Sequence, residues 1–382
     1  MYQRQKNTQS IDKLKKMIIN NLPFSIILLL FALIIALIAE VFILSWIINI
    51  EKKKNHIISD DNKSQMSPIS GLAGISFLPI MLFVVSICSL VTSFGYNMEF
   101  FHGSYPIHIA ALASGCLLIW VAGLIDNISG ESFKKKKLII QLLAAIILVF
   151  GDLYINNFNG LFGIWAIPEW AGILFTIGLV MFITNAINLI DGADGLASGI
   201  SGVALIAFGY LYLQRGMLFY AMICTILVGI LIPFFYYNVF KTTRKLFMGD
   251  TGSLTLGYLL AFLGVRYAMD TDADYKQLTS PIIISLSAMF IPLFDALRVM
   301  LERMCKGKSP FQPDRRHIHH KLLDLGLSHR KTMVWLVICA EIFVILNTNI
   351  VKFLNINTVF AIDVILWLTL IQALNFLKRR KC

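Results

Sequence analysis

The sequence predicts an all-α polytopic membrane protein, a helical bundle of about eleven transmembrane helices. Three observations predict it. Hydrophobic residues make up 57% of the 382-residue chain and charged residues only 14%, where soluble chains carry about 25%. The mean hydropathy is +0.75. Apolar runs of roughly 17 to 25 residues recur along the chain, each long enough to cross a bilayer. No long polar linker divides these runs. Residues 21–382 therefore read as one transmembrane domain behind a polar, basic tail, residues 1–20.

The first run, Ile26 to Ile50, ends at Lys52-Lys53-Lys54. It is too long for a cleaved signal and lacks a small-residue cleavage site. The second starts near Gly71 and ends near Phe94, and the third spans about Ile107 to Ile125. Asp126-Asn127 and the run Lys134 to Lys137 then precede the fourth, about Leu138 to Leu153. The fifth, Trp170 to Thr184, and the sixth, Ile200 to Leu213, flank the polar stretch Asn185 to Ala197. The seventh follows Gln214-Arg215-Gly216 and ends near Asn238, and the eighth ends near Met269. An acidic connection, Asp270 to Tyr275, leads to the ninth. A basic loop, about Arg303 to Lys331, separates that span from the last two.

Alternation assigns the sides. If the Lys52 loop faces the cytoplasm, so do the loops at 126–137, 185–200, 237–255 and 303–331 and the C-terminus. Together these hold 23 lysines and arginines, against single residues at Arg215, Lys276 and Lys352 opposite. That contrast orients the bundle. It also accounts for the net charge of +11 without nucleic acid as a partner. The N-terminal tail is the one discord, because its basic residues fall on the far side. Four of the six cysteines lie inside apolar runs and none form a close pair. Neither a disulfide framework nor a zinc site is indicated.

Every chemically loaded stretch falls on the cytoplasmic side, as a shared active site requires. Asp191 and Asp194 are spaced to share one helix face, as are Asn185 and Asn188. They offer oxygen ligands and amide donors to a sugar, a diphosphate or a base. An Asn-, Asp- and Gly-rich turn at a membrane exit is the plainer alternative. Asp250 stands in Phe247-Met248-Gly249-Asp250-Thr251-Gly252-Ser253, where glycines admit a metal-bound phosphate or cap a helix start. Asp126 suits a metal ligand or a base. Lysines 134 to 137 suit phosphate or simply set orientation. In Arg315-Arg316-His317-Ile318-His319-His320 the spacing is poor for zinc and better for anion binding. Gly71 and Gly74 permit close helix packing.

Together these residues resemble the polyprenyl-phosphate N-acetylhexosamine-1-phosphate transferases of the glycosyltransferase family 4 type, nearest the WecA and TagO branch and more distantly MraY. The resemblance rests on Asn185 to Ala197, Phe247 to Ser253, Gly123 to Asp126, and Ser309-Pro310 through His320, in the family's order. It implies a magnesium-dependent enzyme of the bacterial inner membrane. Such an enzyme moves N-acetylhexosamine-1-phosphate from a UDP-sugar to undecaprenyl phosphate, releases UMP and begins a cell-surface glycan. By the same resemblance Asp250, with Asp191, holds the metal. Asp126 binds or deprotonates the lipid phosphate, and Asn127 and Asn185 line the substrate site. Asn188, Asp191 and Asp194 shape the nucleotide and metal pocket. Phe247 meets the uracil and Lys137 a phosphate. Arg315, His317, His319 and His320 meet the sugar phosphate. Manganese in place of magnesium, and a homodimer, are left open.

The chain departs from the family at two places. Asn127 stands where a second aspartate is usual, and an amide carries no charge. Gln65 and Ser70 to Gly74 replace a histidine and a Pro-Arg-x-Gly-Gly pattern. Three alternatives follow: another UDP-amino-sugar or a UDP-muramoyl-peptide as donor, a catalytically degenerate member, or an ion-coupled transporter. The transporter would use acids within spans such as Glu40, Asp295 and Asp363.

Overall fold

The computed structural model describes residues 2–57, 70–95, 105–129, 134–241, 245–269, 280–310 and 316–381. Thirteen α-helices form among them. They are α1 (Tyr2–Ile57), α2 (Phe77–Gly95), α3 (Tyr105–Ser129), α4 (Lys134–Phe150), α5 (Glu169–Ile190), α6 (Leu196–Gln214), α7 (Leu218–Val239), α8 (Gly249–Ala268), α9 (Pro281–Ala288), α10 (Phe290–Met304), α11 (Ile318–Asp324), α12 (His329–Ile350) and α13 (Ile356–Lys381). A 3-10 helix, Ser70–Ser76, precedes α2. Among the described residues no strand forms beyond one isolated bridge, Asn157 to Ala166.

Each of the eleven expected runs coincides with a helix or with the α9–α10 pair. Eight described helices are long and apolar enough to cross a membrane, and nine if α9 and α10, bent by 78°, make one broken span. Helix α4 falls short at 17 residues. Helix α8 falls short because Asp250 and Arg266, with several Gly, Ser, Thr and Tyr residues, interrupt its apolar character. The bend between α9 and α10 has a local cause. Pro292 has no N–H to return to the carbonyl of Ala288, so a continuous helix would lose a bond there. The tail at residues 2–22 continues as helix into α1.

Helix α8 is the axis of the bundle. It packs against α3, α5, α6, α9, α2 and the 3-10 helix, and Thr251 to Val265 are all buried. A helix surrounded by protein tolerates hydroxyls and glycines that a lipid-facing one would not. Its first turn approaches its neighbours backbone to backbone. A Cβ at Gly74 would stand 2.2 Å from Gly252 Cα, and one at Gly123 would stand 2.4 Å from Thr251 Cα. Ala73 and Gly74 also donate N–H bonds to the carbonyls of Phe247 and Met248. Close backbone approach through small residues is how helices associate where lipid supplies no hydrophobic drive.

Helix α13 ties the two ends of the bundle together. At one end Asn357 accepts from Phe162 N–H at 2.6 Å and donates to Gly160 O at 3.0 Å. At the other, Asn375 accepts from Lys321 at 2.7 Å and Lys378 pairs with Asp324 at 2.7 Å, both on the short helix α11.

The clash at Gly123 is with main chain, which no rotamer change relieves. Gly123→Ala is therefore expected to destabilise the protein by about 1–3 kcal/mol, read as a lowered unfolding temperature in detergent. An unchanged transition would count against the close approach of α3 and α8.

Candidate active site

Four helix termini converge at one end of the bundle: the C-terminal ends of α3 and α5 and the N-terminal ends of α4 and α8. Lys137, in the first turn of α4, reaches across to two carboxylates. Its Nζ lies 2.7 Å from Asp126 Oδ2 and 3.0 Å from Asp250 Oδ2. The Lys137 and Asp126 side chains are nearly buried, while Asp250 is 38% exposed. Asp250 is the most accessible group of this trio. It also sits in the first turn of α8, where the helix dipole favours an anion.

Asn188, near the end of α5, fixes the other oxygen. Its Nδ2 donates to Asp250 Oδ1 and to Ser253 Oγ, both at 2.8 Å, and Ser253 donates on to Gly249 O at 2.9 Å. Asn185 lies one turn earlier on the same helix and is turned to a structural task. It exchanges hydrogen bonds with Gln141 at 2.7 and 3.3 Å and donates to Met181 O.

The spacing of Asp191 and Asp194 suggests one helix face, but the structure puts both in a turn, residues 191–195, between α5 and α6. The two Asp-Gly steps explain this, since Gly195 takes a left-handed φ of 72° that a side chain would oppose. Asn238, at the end of α7, clamps the turn: it accepts from Gly195 N–H and donates to Leu246 O at 2.6 Å. Asp194 pairs with Lys245, whose ammonium lies 5.4 Å from the Phe247 ring centroid. The turn and the Phe247 segment are thereby latched to each other.

The histidine segment is held from below. Asp295 on α10 is buried. It accepts from His317 Nδ1 at 2.8 Å, from Ile318 N–H at 3.1 Å and from Arg298 at 2.7 Å. Arg298 also donates to Arg316 O at 2.8 Å. His317 Nε2 and both ring nitrogens of His319 are buried with no partner among the described residues. Polar atoms in that condition are what a ligand satisfies. His319 reaches the 191–195 turn, for a Cβ at Gly192 would stand 2.5 Å from its Nε2. Burial first, and then the neighbouring His320, push His319 down to about 3, so the ring is neutral. Its ring lies 4.2 Å from that of His320. Arg315 lies outside the described residues.

Charge decides what the site accepts. Among the described residues Asp126, Asp191, Asp194 and Asp250 face two partner ammonium groups, Lys137 and Lys245. Burial, followed by the charges of Asp250 and Asp194, pushes Asp191 up to about 8. A divalent cation would relieve that excess. Among the described residues no three His, Cys, Asp or Glu groups could hold a metal by themselves. Magnesium needs no such cage, because it takes one or two carboxylates and completes its shell with phosphate oxygens and water. Asp191 and Asp250, with the amide oxygen of Asn188 as a further hard donor, fit that pattern.

Residues 109–268 match the family model "Glycosyl transferase family 4". The match covers less than half of the chain. The chain is 31% identical over 243 residues to "Undecaprenyl-phosphate alpha-N-acetylglucosaminyl 1-phosphate transferase" of Escherichia coli O157:H7, covering 62% of this chain and 65% of the relative. It is 34% identical over 244 residues to "Decaprenyl-phosphate N-acetylglucosaminephosphotransferase" of Mycobacterium leprae, covering 59% of this chain and 60% of that relative. The chain thus spans a little under two thirds of the curated relatives it matches.

The matched segment contains Asp126, Asn127, Lys137, Asn185, Asn188, Asp191, Asp194, Phe247 and Asp250. The histidines and Asp295 lie beyond it. Sequence reasoning missed Gln141, Asn238, Lys245 and Arg298, and it read Asp295 as a mid-span acid. Only Asp295 and Arg298 left a local trace, a three-residue spacing that places them on one helix face. The other two mid-span acids are also engaged by protein: Glu40 meets Ser76 at 3.0 Å and Asp363 accepts from Asn347 at 2.6 Å. Glu40 Oε2 stays buried with no partner among the described residues.

Among the described residues, Asp295→Ala would leave Arg298 with Glu302 alone as its carboxylate and strip His317 Nδ1 and Ile318 N–H of their acceptor. The expected cost is about 3–5 kcal/mol, with faster hydrogen exchange across residues 316–324. Unaltered exchange there would show that Asp295 does not hold the histidine segment.

Proposed function

We propose that the protein transfers N-acetylglucosamine-1-phosphate from UDP-N-acetylglucosamine to a polyprenyl phosphate, with magnesium, at the cytoplasmic face of a bacterial inner membrane. One observation carries the reading: a single lysine bridging two carboxylates at the N-terminus of a buried helix, at the edge of an apolar bundle. An apolar acceptor lipid requires the bundle, and a polar nucleotide requires the edge. The basic loops on the same side support the cytoplasmic assignment.

The reaction is one displacement. An oxygen of the lipid phosphate attacks the β-phosphorus of the nucleotide sugar, and the bond to the UMP oxygen breaks. The lipid diphosphate sugar and UMP result. Asp126 takes the acceptor's proton where the lipid phosphate still carries one. Lys137 neutralises the acceptor phosphate as it approaches Asp250. Asn188 keeps the Asp250 carboxylate in one orientation. His317, held by Asp295, and the neutral ring of His319 meet the sugar-phosphate part, and Phe247 packs on the uracil. Magnesium, held by Asp250 and Asp191, would supply charge neutralisation on the diphosphate. Phosphoryl transfer depends mostly on such positioning and neutralisation.

Membranes or detergent preparations containing the protein should release labelled UMP from UDP-N-acetylglucosamine when polyprenyl phosphate and magnesium are added. Asp250→Ala should lower that release by at least about 100-fold. Silence across a panel of UDP-N-acetylhexosamines would refute the reading. Because His319 stays neutral well below pH 5, His319→Asn should slow turnover without moving the acid limb of the pH profile. A shifted limb would mean that His319 titrates during catalysis.

A further inference from the structure

Asn127 occupies the position where the chain departs from its family, and the structure gives its amide a task. The first N–H groups of any helix lack partners within the helix, and a side chain at the N-cap usually meets one. Helix α8 has Met248 at that position, with no side-chain cap. The missing group comes from another helix. Asn127, near the end of α3, accepts from Asp250 N–H through Oδ1 at 2.9 Å. Its Nδ2 donates to Thr251 Oγ1 at 2.8 Å. Both ends of the amide are therefore engaged by two residues in the first turn of α8. The fit is close: Gly249 has a φ of 63°, and a Cβ there would stand 2.9 Å from Asn127 Nδ2 and 1.9 Å from Gly71 O.

We propose that Asn127 is a positioning residue that caps α8 from α3 and so sets the Asp250 carboxylate against Lys137. It is not a weakened stand-in for a metal ligand or a substrate contact. The charge balance favours the amide over a carboxylate. Asp126 and Asp250 already share one ammonium, and a third carboxylate beside them would add uncompensated charge. An amide also donates to Thr251 while it accepts from Asp250, so both bonds form without a proton being borrowed.

The kinetic half of the test rests on the transferase reading and the exchange half does not. The full-length protein would be compared with Asn127→Ala, Asn127→Asp and Thr251→Val. Amide hydrogen exchange across residues 247–253 would be measured alongside kcat, the donor KM and the half-saturating magnesium concentration. Asn127→Ala should raise exchange at the start of α8 and lower kcat by about tenfold. Asn127→Asp still accepts from Asp250 N–H, so it should restore protection and leave half-saturating magnesium unchanged. The losses from Asn127→Ala and Thr251→Val should not add, because both break one clamp. Unchanged exchange in Asn127→Ala overturns the proposal. So does a lower magnesium requirement in Asn127→Asp, which marks a ligand, or a rise confined to the donor KM, which marks a substrate contact. If the unaltered protein shows no turnover, the transferase reading fails and the exchange data alone decide the clamp.

Discussion

Two carboxylates sharing one ammonium is the interaction on which the rest of this structure depends. Asp126 and Asp250 come from helices far apart in sequence, and both stand at the edge of an apolar bundle where an unpaired charge is costly. Lys137 makes the pair tenable, and only because α3, α4 and α8 end at the same level. The other devices serve that convergence. Glycines bring α8 against α3 and the 3-10 helix, Asn188 orients the other oxygen of Asp250, and Asn127 meets the Asp250 N–H. The arrangement keeps Asp250 partly open while closing its neighbours, which is the asymmetry a phosphate-binding site needs.

Much of the fold was legible because membrane helices announce themselves by length and composition. The eleven apolar runs and their breaks recur as helices, since the hydrophobic period and the loop charges act locally. Helix α8 shows where that reasoning thins out. Its glycines and hydroxyls weaken the apolar signal, yet it is the most enclosed helix of the bundle, a property its neighbours confer. The α9–α10 bend is legible after the fact from Pro292, but the expected single span passed over it.

The site divides the same way. Asp126, Lys137, Asn188 and Asp250 stood out because each is a polar group at a span end, and the structure brings them together. Asn185 has the same signature but pairs with Gln141, a partner 44 positions away that no spacing rule connects to it. For Asp191 and Asp194 the sequence left both a helix face and an Asp-Gly turn open, and the structure takes the turn. Asp295 was named only as an acid that a transporter would use. An acid inside an apolar run suggests ion transport until its partner, 22 residues on, is known to be His317.

Helix α13 has a mechanical consequence. Its 26 residues make a rod about 39 Å long, pinned at one end to the 160–162 loop and at the other to the helix that carries His319 and His320. A rod fixed at both ends carries displacement rather than absorbing it. Strain applied to the far surface of the bundle, by a thicker bilayer or by a neighbour docked on that loop, would arrive at the histidines as a shift along the rod. The two faces of the molecule are thus joined by a lever as well as by packing.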